Sequence, residues 1–169
     1  MPITQSEYLD VRMRAEELQC HSPSGLAILP LNFASAIAKS DLVHSNQTSA
    51  VRKLWRMAGL HETKIDPEGE RFPEQHLRSF EWLGPTIFVG ASLAIQDQNT
   101  ISIALNIIST YLTDFFKGTP KSSHVVKFDV VQEEEIEGYY SYKKFSYEGS
   151  VEGVRELESF LESQQSNES

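Results

Sequence analysis

Residues 101–116, ISIALNIISTYLTDFF, constrain the fold more than any other stretch: their spacing predicts a helix, yet no charged side chain occurs before Asp114. At about 100° per residue, Ile101, Ala104, Leu105, Ile107, Ile108, Tyr111, Leu112, Phe115 and Phe116 cover an arc of about 180°. The opposite side carries Ser102, Asn106, Ser109, Thr110, Thr113 and Asp114, with Ile103 intruding. A helix facing open water usually carries Lys and Glu there, because both are soluble and favour the helix. Ser, Thr and Asn are poorer helix formers, so this face points to a second contact. Three surroundings are compatible with it: the protein's own core between a sheet and another helix, an interface with a different subunit or a second copy, or lipid. A spanning helix needs roughly 20 mostly apolar residues, and only 16 stand here before Lys117. The apolar run 86–95 would have to join it as a re-entrant hairpin inside an oligomer that satisfied its backbone. A self-assembling membrane association through residues 86–116 is therefore the weakest reading.

Around this helix the chain alternates short apolar runs with helical stripes. Ser6 is placed to cap a first helix to about Leu18, with Tyr8, Val11, Ala15 and Leu18 on one face. LAILPL (26–31) reads as a buried strand, with Pro30 at its exit because proline lacks an N–H. Residues 32–47 are mixed, with a short helix around FASAIAKS. TSAVRKLWRMAGL then gives a helix capped by Thr48 or Ser49, striped by Val51, Leu54, Trp55 and Ala58 and stopped at Gly59. Residues 61–82, with Pro67, Gly69 and Pro73, form a long surface excursion, a lid or a plain loop, with a short helix after Pro73. TIFVGASLAI (86–95) is the strongest strand, apolar almost throughout and so covered on both faces. VVKFDVVQ (125–132) and YYSYKKFSY (139–147) alternate with period two, joined by the hydrated acidic link EEEIEG. Ser150 caps a last helix striped by Val151, Val154, Leu157 and Leu161, and residues 163–169 form a disordered tail. The pattern predicts an α/β or α+β fold: a small mixed sheet of about four strands with helices packed on it, in a single domain over residues 1–162.

Charge narrows the partners. The formal net charge is -9, and it is uneven: residues 1–60 hold six Lys/Arg against five Asp/Glu, residues 61–120 four against eight, and residues 121–169 five against eleven. Such a field repels a polyphosphate over most of the surface, so no nucleic acid is expected. The lone cysteine, Cys20, makes an intramolecular disulfide impossible, and the first residues lack the basic lead and apolar run of a signal peptide. Both point to a cytoplasmic location.

Chemistry-bearing motifs are sparse. A nucleophile needs an adjacent base, and the weak catalytic candidates are Cys20 and His21, with His44, His61, His76 or His124 as distant partners for the thiol. The histidines lack ligand spacing, and DPEGE (66–70) is not a calcium loop, so no metal site is expected. No glycine-rich phosphate loop occurs, and Glu148 and Glu152 flank the helix start at Ser150 and repel an anion, so no cofactor is expected. The basic trio Arg52, Lys53 and Arg56 lies off the stripe of its helix and suits an acidic surface, another copy's included. Together these features suggest a non-enzymatic protein-interaction subunit or adaptor, of the accessory, immunity or antitoxin kind. It would bind another protein or itself through Ser102, Asn106, Ser109, Thr110 and Thr113 together with Arg52, Lys53 and Arg56. A small hydrolase built around Cys20 and His21 is the alternative.

Overall fold

The computed structural model describes residues 2–75, 82–96, 99–119 and 125–166. Its centre is a mixed sheet of five strands in the order β1-β7-β6-β5-β2, so the expectation of about four strands falls one short. The strands are β1 (Ile3–Glu7), β2 (Leu26–Leu29), β5 (Trp82–Val89), β6 (Val126–Ile136) and β7 (Tyr139–Gly149). Two residues each of β3 (His44–Ser45) and β4 (Glu74–Gln75) pair in parallel as a separate small ladder. The helices are α1 (Val11–Glu17), α2 (Thr48–Met57), α3 (Ala91–Gln96), α4 (Asn99–Phe115) and α5 (Val154–Ser166). Only β5 and β6 run parallel, with α3 and α4 between them in the chain; every other neighbouring pair in the sheet is antiparallel. The fold is α+β.

Period-two alternation sorts the strand residues onto two cores. Leu26, Ile28, Trp82, Ile87, Val89, Val126, Phe128, Val130, Phe145 and Tyr147 face α2, α4 and α5. Ala27, Leu29, Phe88, Val131 and Tyr142 face α1 and the irregular segments that carry Phe33, Leu42, Ile65 and Phe72. On the first face α4 lies between α2 and α5: Trp55 Nε1 donates to Ala104 O at 3.3 Å, and Ser102 Oγ donates to Glu162 Oε1 at 2.8 Å. Ile101, Ala104, Leu105, Ile108 and Leu112 are buried as their spacing demands, and Ser109 goes in with them. Phe115, by contrast, is 41% exposed.

Several boundaries move for identifiable reasons. Ser6 does not cap a helix, because it belongs to edge strand β1; Asp10 is the cap, accepting from Met13 N at 3.0 Å. The segment around FASAIAKS forms turns and one short 3-10 turn at Lys39–Asp41. Glu74 and Gln75, expected to open a helix after Pro73, are β4, and residues 76–81 lie outside the described residues. The run 86–95 is not one strand, since β5 ends at Val89 and α3 starts at Ala91. The acidic link is no link either: β6 continues to Ile136, leaving only Glu137 and Gly138 in the turn. Both have positive φ, 52° and 84°, as in the type I′ hairpin turn whose twist matches that of its strands. The last helix runs to Ser166, past the tail expected from Ser163, and residues 167–169 lie outside the described residues.

Gly90 is the break between β5 and α3. Its N–H donates to Gly25 O at 2.7 Å, and a Cβ on Gly90 would stand 2.7 Å from Gly25 N. The obstacle is main chain and cannot rotate away, so Gly90→Ala should destabilise the fold by roughly 1–3 kcal/mol. Urea unfolding measures this, and an unchanged midpoint would contradict the close approach.

Candidate functional site

Among the described residues the sequence candidates do not come together in one place, and His76 and His124 lie outside those residues. Cys20 is half-buried, with its thiol 3.7 Å from Leu18 O, and burial pushes its pKa up, with Asp66 adding to the rise and Lys39 opposing it. An activated cysteine has the opposite shift. His21 is exposed on the wall of a cleft of about 520 Å³, which Lys64, Asp66, Glu68, Glu70 and Arg71 also line.

The basic trio splits in two. Lys53 and Arg56 are exposed, but Arg52 turns inward, donating through Nε to Glu62 Oε1 at 2.8 Å and through Nη2 to Asp66 Oδ1 at 2.8 Å. Asp66 is buried and also meets His44 Nε2 at 3.1 and 3.2 Å, while accepting from Phe72 N at 3.0 Å. Burial opposes its charge; the hydrogen bonds from His44, Arg52 and Phe72 outweigh that and hold the carboxyl well below the usual range. This cluster ties the 61–75 segment to α2 and to β3, and Ile65 beside it is fully buried. The described part of the long excursion is therefore pinned down.

The polar face of α4 is divided as well. Ser109 is buried, and Thr113 Oγ1 donates to its carbonyl at 3.1 Å, as a hydroxyl in a helix commonly does. Ser102 is tied to Glu162, which leaves Asn106, Thr110 and Thr113 exposed beside Ile103.

A different feature stands out from the sheet. β5 follows β6 as far as the pair Val89–Gln132, and β1 follows β7 as far as Glu7–Lys143, extended by a bond from Tyr8 N to Tyr142 O at 3.0 Å. Past that point β6 and β7 continue as a ribbon of two strands flanked by neither. Its root is Glu133, whose side chain is almost wholly buried. The Arg12 guanidinium grips it with two bonds, Nε at 2.9 Å and Nη2 at 3.1 Å. Tyr142 Oη donates to it at 2.7 Å, and Ala91 N at 3.2 Å. Burial again opposes the charge, and the bonds from Arg12, Tyr142 and Ala91 prevail, so this carboxyl too titrates below its ordinary range. The same guanidinium lies 3.9 Å from the Tyr140 ring centroid and braces the ribbon from the α1 side.

Toward the tip the two faces differ. Glu135 and Tyr140 are paired on the Arg12 side, whereas Ile136 and Tyr139 are paired on the other, behind an ion pair between Lys143 and Glu134 at 3.4 Å. Ile136 is 65% exposed and Tyr139 80%, with exposed Glu137 beside them in the turn and exposed Glu135 on the other face. Sequence reasoning read this region as a hydrated link. The available signal was Gly138, a turn residue across which Ile136 and Tyr139 come face to face.

The Asp66 cluster yields a pH test. A carboxylate whose folded pKa is depressed adds stability that is present above its unfolded pKa, about 3.9 for Asp, and lost as pH falls through the folded value. Asp66→Asn should lower stability at pH 7 by roughly 3 kcal/mol, with the gap to the unaltered protein narrowing as pH drops below about 4. Urea unfolding of both proteins at neutral and acid pH checks this; a gap independent of pH would contradict it.

Comparison with protein-family models, with curated proteins and with solved structures found no match to this chain.

Proposed function

We propose that this chain is a non-enzymatic, cytoplasmic protein-interaction subunit, and that its binding element is the β6–β7 ribbon beyond Glu133. The observation that carries the reading is the pairing of two large apolar side chains, Ile136 and Tyr139, exposed at the tip of a ribbon with a fixed base. Exposed apolar groups rimmed by charge mark interaction surfaces when they are held together. Tyrosine is favoured at such places because a rigid ring buries much area at little entropic cost. The four bonds to Glu133 and the Arg12–Tyr140 stack restrict the ribbon before it binds, which reduces the ordering penalty on association.

Charge describes the partner. Glu137 lies in the turn beside the apolar pair, and the chain as a whole carries -9. The fitting counterpart is a protein with an apolar pocket edged by Lys or Arg, approached faster at low salt. A hydrolase centred on Cys20 fits less well, because its thiol is shifted away from the reactive form. No helix among the described residues is long and apolar enough to cross a membrane, and residues 86–89, 91–96 and 99–115 are committed to β5, α3 and α4.

Ile136→Ser combined with Tyr139→Ser removes the apolar tip and should lower folding stability by no more than about 1 kcal/mol. Affinity capture from the native cell extract with both forms, followed by titration of the recovered partner, tests the reading. A partner held by the unaltered chain and weakened at least about tenfold, about 1.4 kcal/mol, by the double substitution is the predicted result. Equal binding by the two forms would exclude the ribbon.

A further inference from the structure

The helical layer on the opposite side of the sheet from α1 carries an ordered charge pattern of its own. On α2 the exposed charges are Lys53 and Arg56, both positive, since Arg52 is consumed inside. The centre, α4, presents Ile103, Asn106, Thr110 and Thr113, none of them charged, with Asp114 exposed at its C-terminal end. On α5 the outward charges are Glu156, Glu158 and Glu162 against the single base Arg155. Across the layer the order is thus basic, neutral, acidic. Three large apolar side chains stand exposed within it, Met57 at 74%, Ile103 at 44% and Phe115 at 41%.

We propose that a second copy of this chain docks on this layer about a two-fold axis that runs along α4. A two-fold interface brings one patch against itself, so the patch must be self-complementary. When two such layers meet face to face, the direction of the axis decides which helices oppose each other. An axis perpendicular to α4 sets α2 on α2 and α5 on α5, like charge on like charge. An axis along α4 sets the neutral ridge of one copy against that of the other and places each α2 opposite a partner α5. Only the second arrangement matches Lys53 and Arg56 with Glu158 and Glu162. The stretch of α4 from Ile103 to Thr113, which lacks the Lys and Glu of a helix in open water, becomes the middle of the contact.

Three effects work against this arrangement. Each copy carries -9, so the copies repel at a distance, the two α4 macrodipoles lie side by side in the same sense, and the exposed Asp114 of each copy comes level with that of the other at the end of the ridge. The first two are screened, because the Debye length is about 8 Å at physiological salt, and Asp114 is solvated at the rim, while opposed side chains within the contact are screened less. The contact is independent of the ribbon, so either can fail without the other.

Light scattering gives the absolute mass of the unaltered chain at about 0.1 mM, a concentration that fills a dimer of micromolar dissociation constant. A dimer is the expected result. One variant carries Lys53→Glu with Arg56→Glu, and a second carries Glu158→Lys with Glu162→Lys. Each alone should be a folded monomer by light scattering and circular dichroism, and mixing the two should restore a dimer containing one of each. A monomeric unaltered chain, variants that remain dimers, or monomeric variants that do not reunite on mixing would each overturn the proposal.

Discussion

The buried carboxylate of Glu133 is the interaction on which most of the architecture turns. A charge taken from water is tolerated only when its hydrogen-bonding capacity is filled. Here the donors come from three different elements: Arg12 from α1, Tyr142 from β7 and the Ala91 amide at the start of α3. Satisfying one side chain of β6 therefore fixes α1 on the sheet, ties the first amide of α3 to β6, and anchors the ribbon where it leaves its neighbours. Asp66 does the same for the other half of the second core, joining α2, β3 and the segment through Phe72. The α1 side of the sheet, clothed largely by irregular chain, is stapled by these two carboxylates. The α2–α4–α5 side is held by packing around Trp55, Trp82, Phe145 and the α4 stripe.

This division explains what could be read from the sequence. Helices α2 and α4 show a 3.6-residue apolar period because one face of each meets a continuous core, and both were legible. Edge strand β1 was not, since four of the five residues of ITQSE are exposed and carry no apolar alternation. The TIFVGASLAI run is apolar on both sides of Gly90, because β5 and the start of α3 are each buried; only the close approach of Gly25 and Gly90 separates them. The hairpin arms were hidden by a different cause. Glutamate is a poor strand residue, and nothing local reveals that Glu133 is buried while Glu135 is exposed. Arg52 was misread for the same reason: its partners lie 10 and 14 residues away, past the helix end at Gly59.

The site was the least legible part. Polar composition on α4 correctly marked a helix without ordinary solvent charges, but composition cannot divide Ser109, which goes inside, from Thr110, which stays out. The ribbon depends on where β1 and β5 stop, a property of the whole sheet that no window of sequence contains. Once the sheet is built, the tip follows from alternation alone: Ile136 and Tyr139 fall together on one face, with no neighbouring strand among the described residues to cover them.

The central claim is that binding occurs at that tip. Placing a photo-crosslinking phenylalanine analogue at position 139, in cells that make the protein, tests it most directly, with the same analogue at exposed Glu68 on the pinned loop as control. The account predicts one discrete protein adduct from position 139 that is absent from position 68. No adduct from position 139, or the same adduct from both, would contradict it.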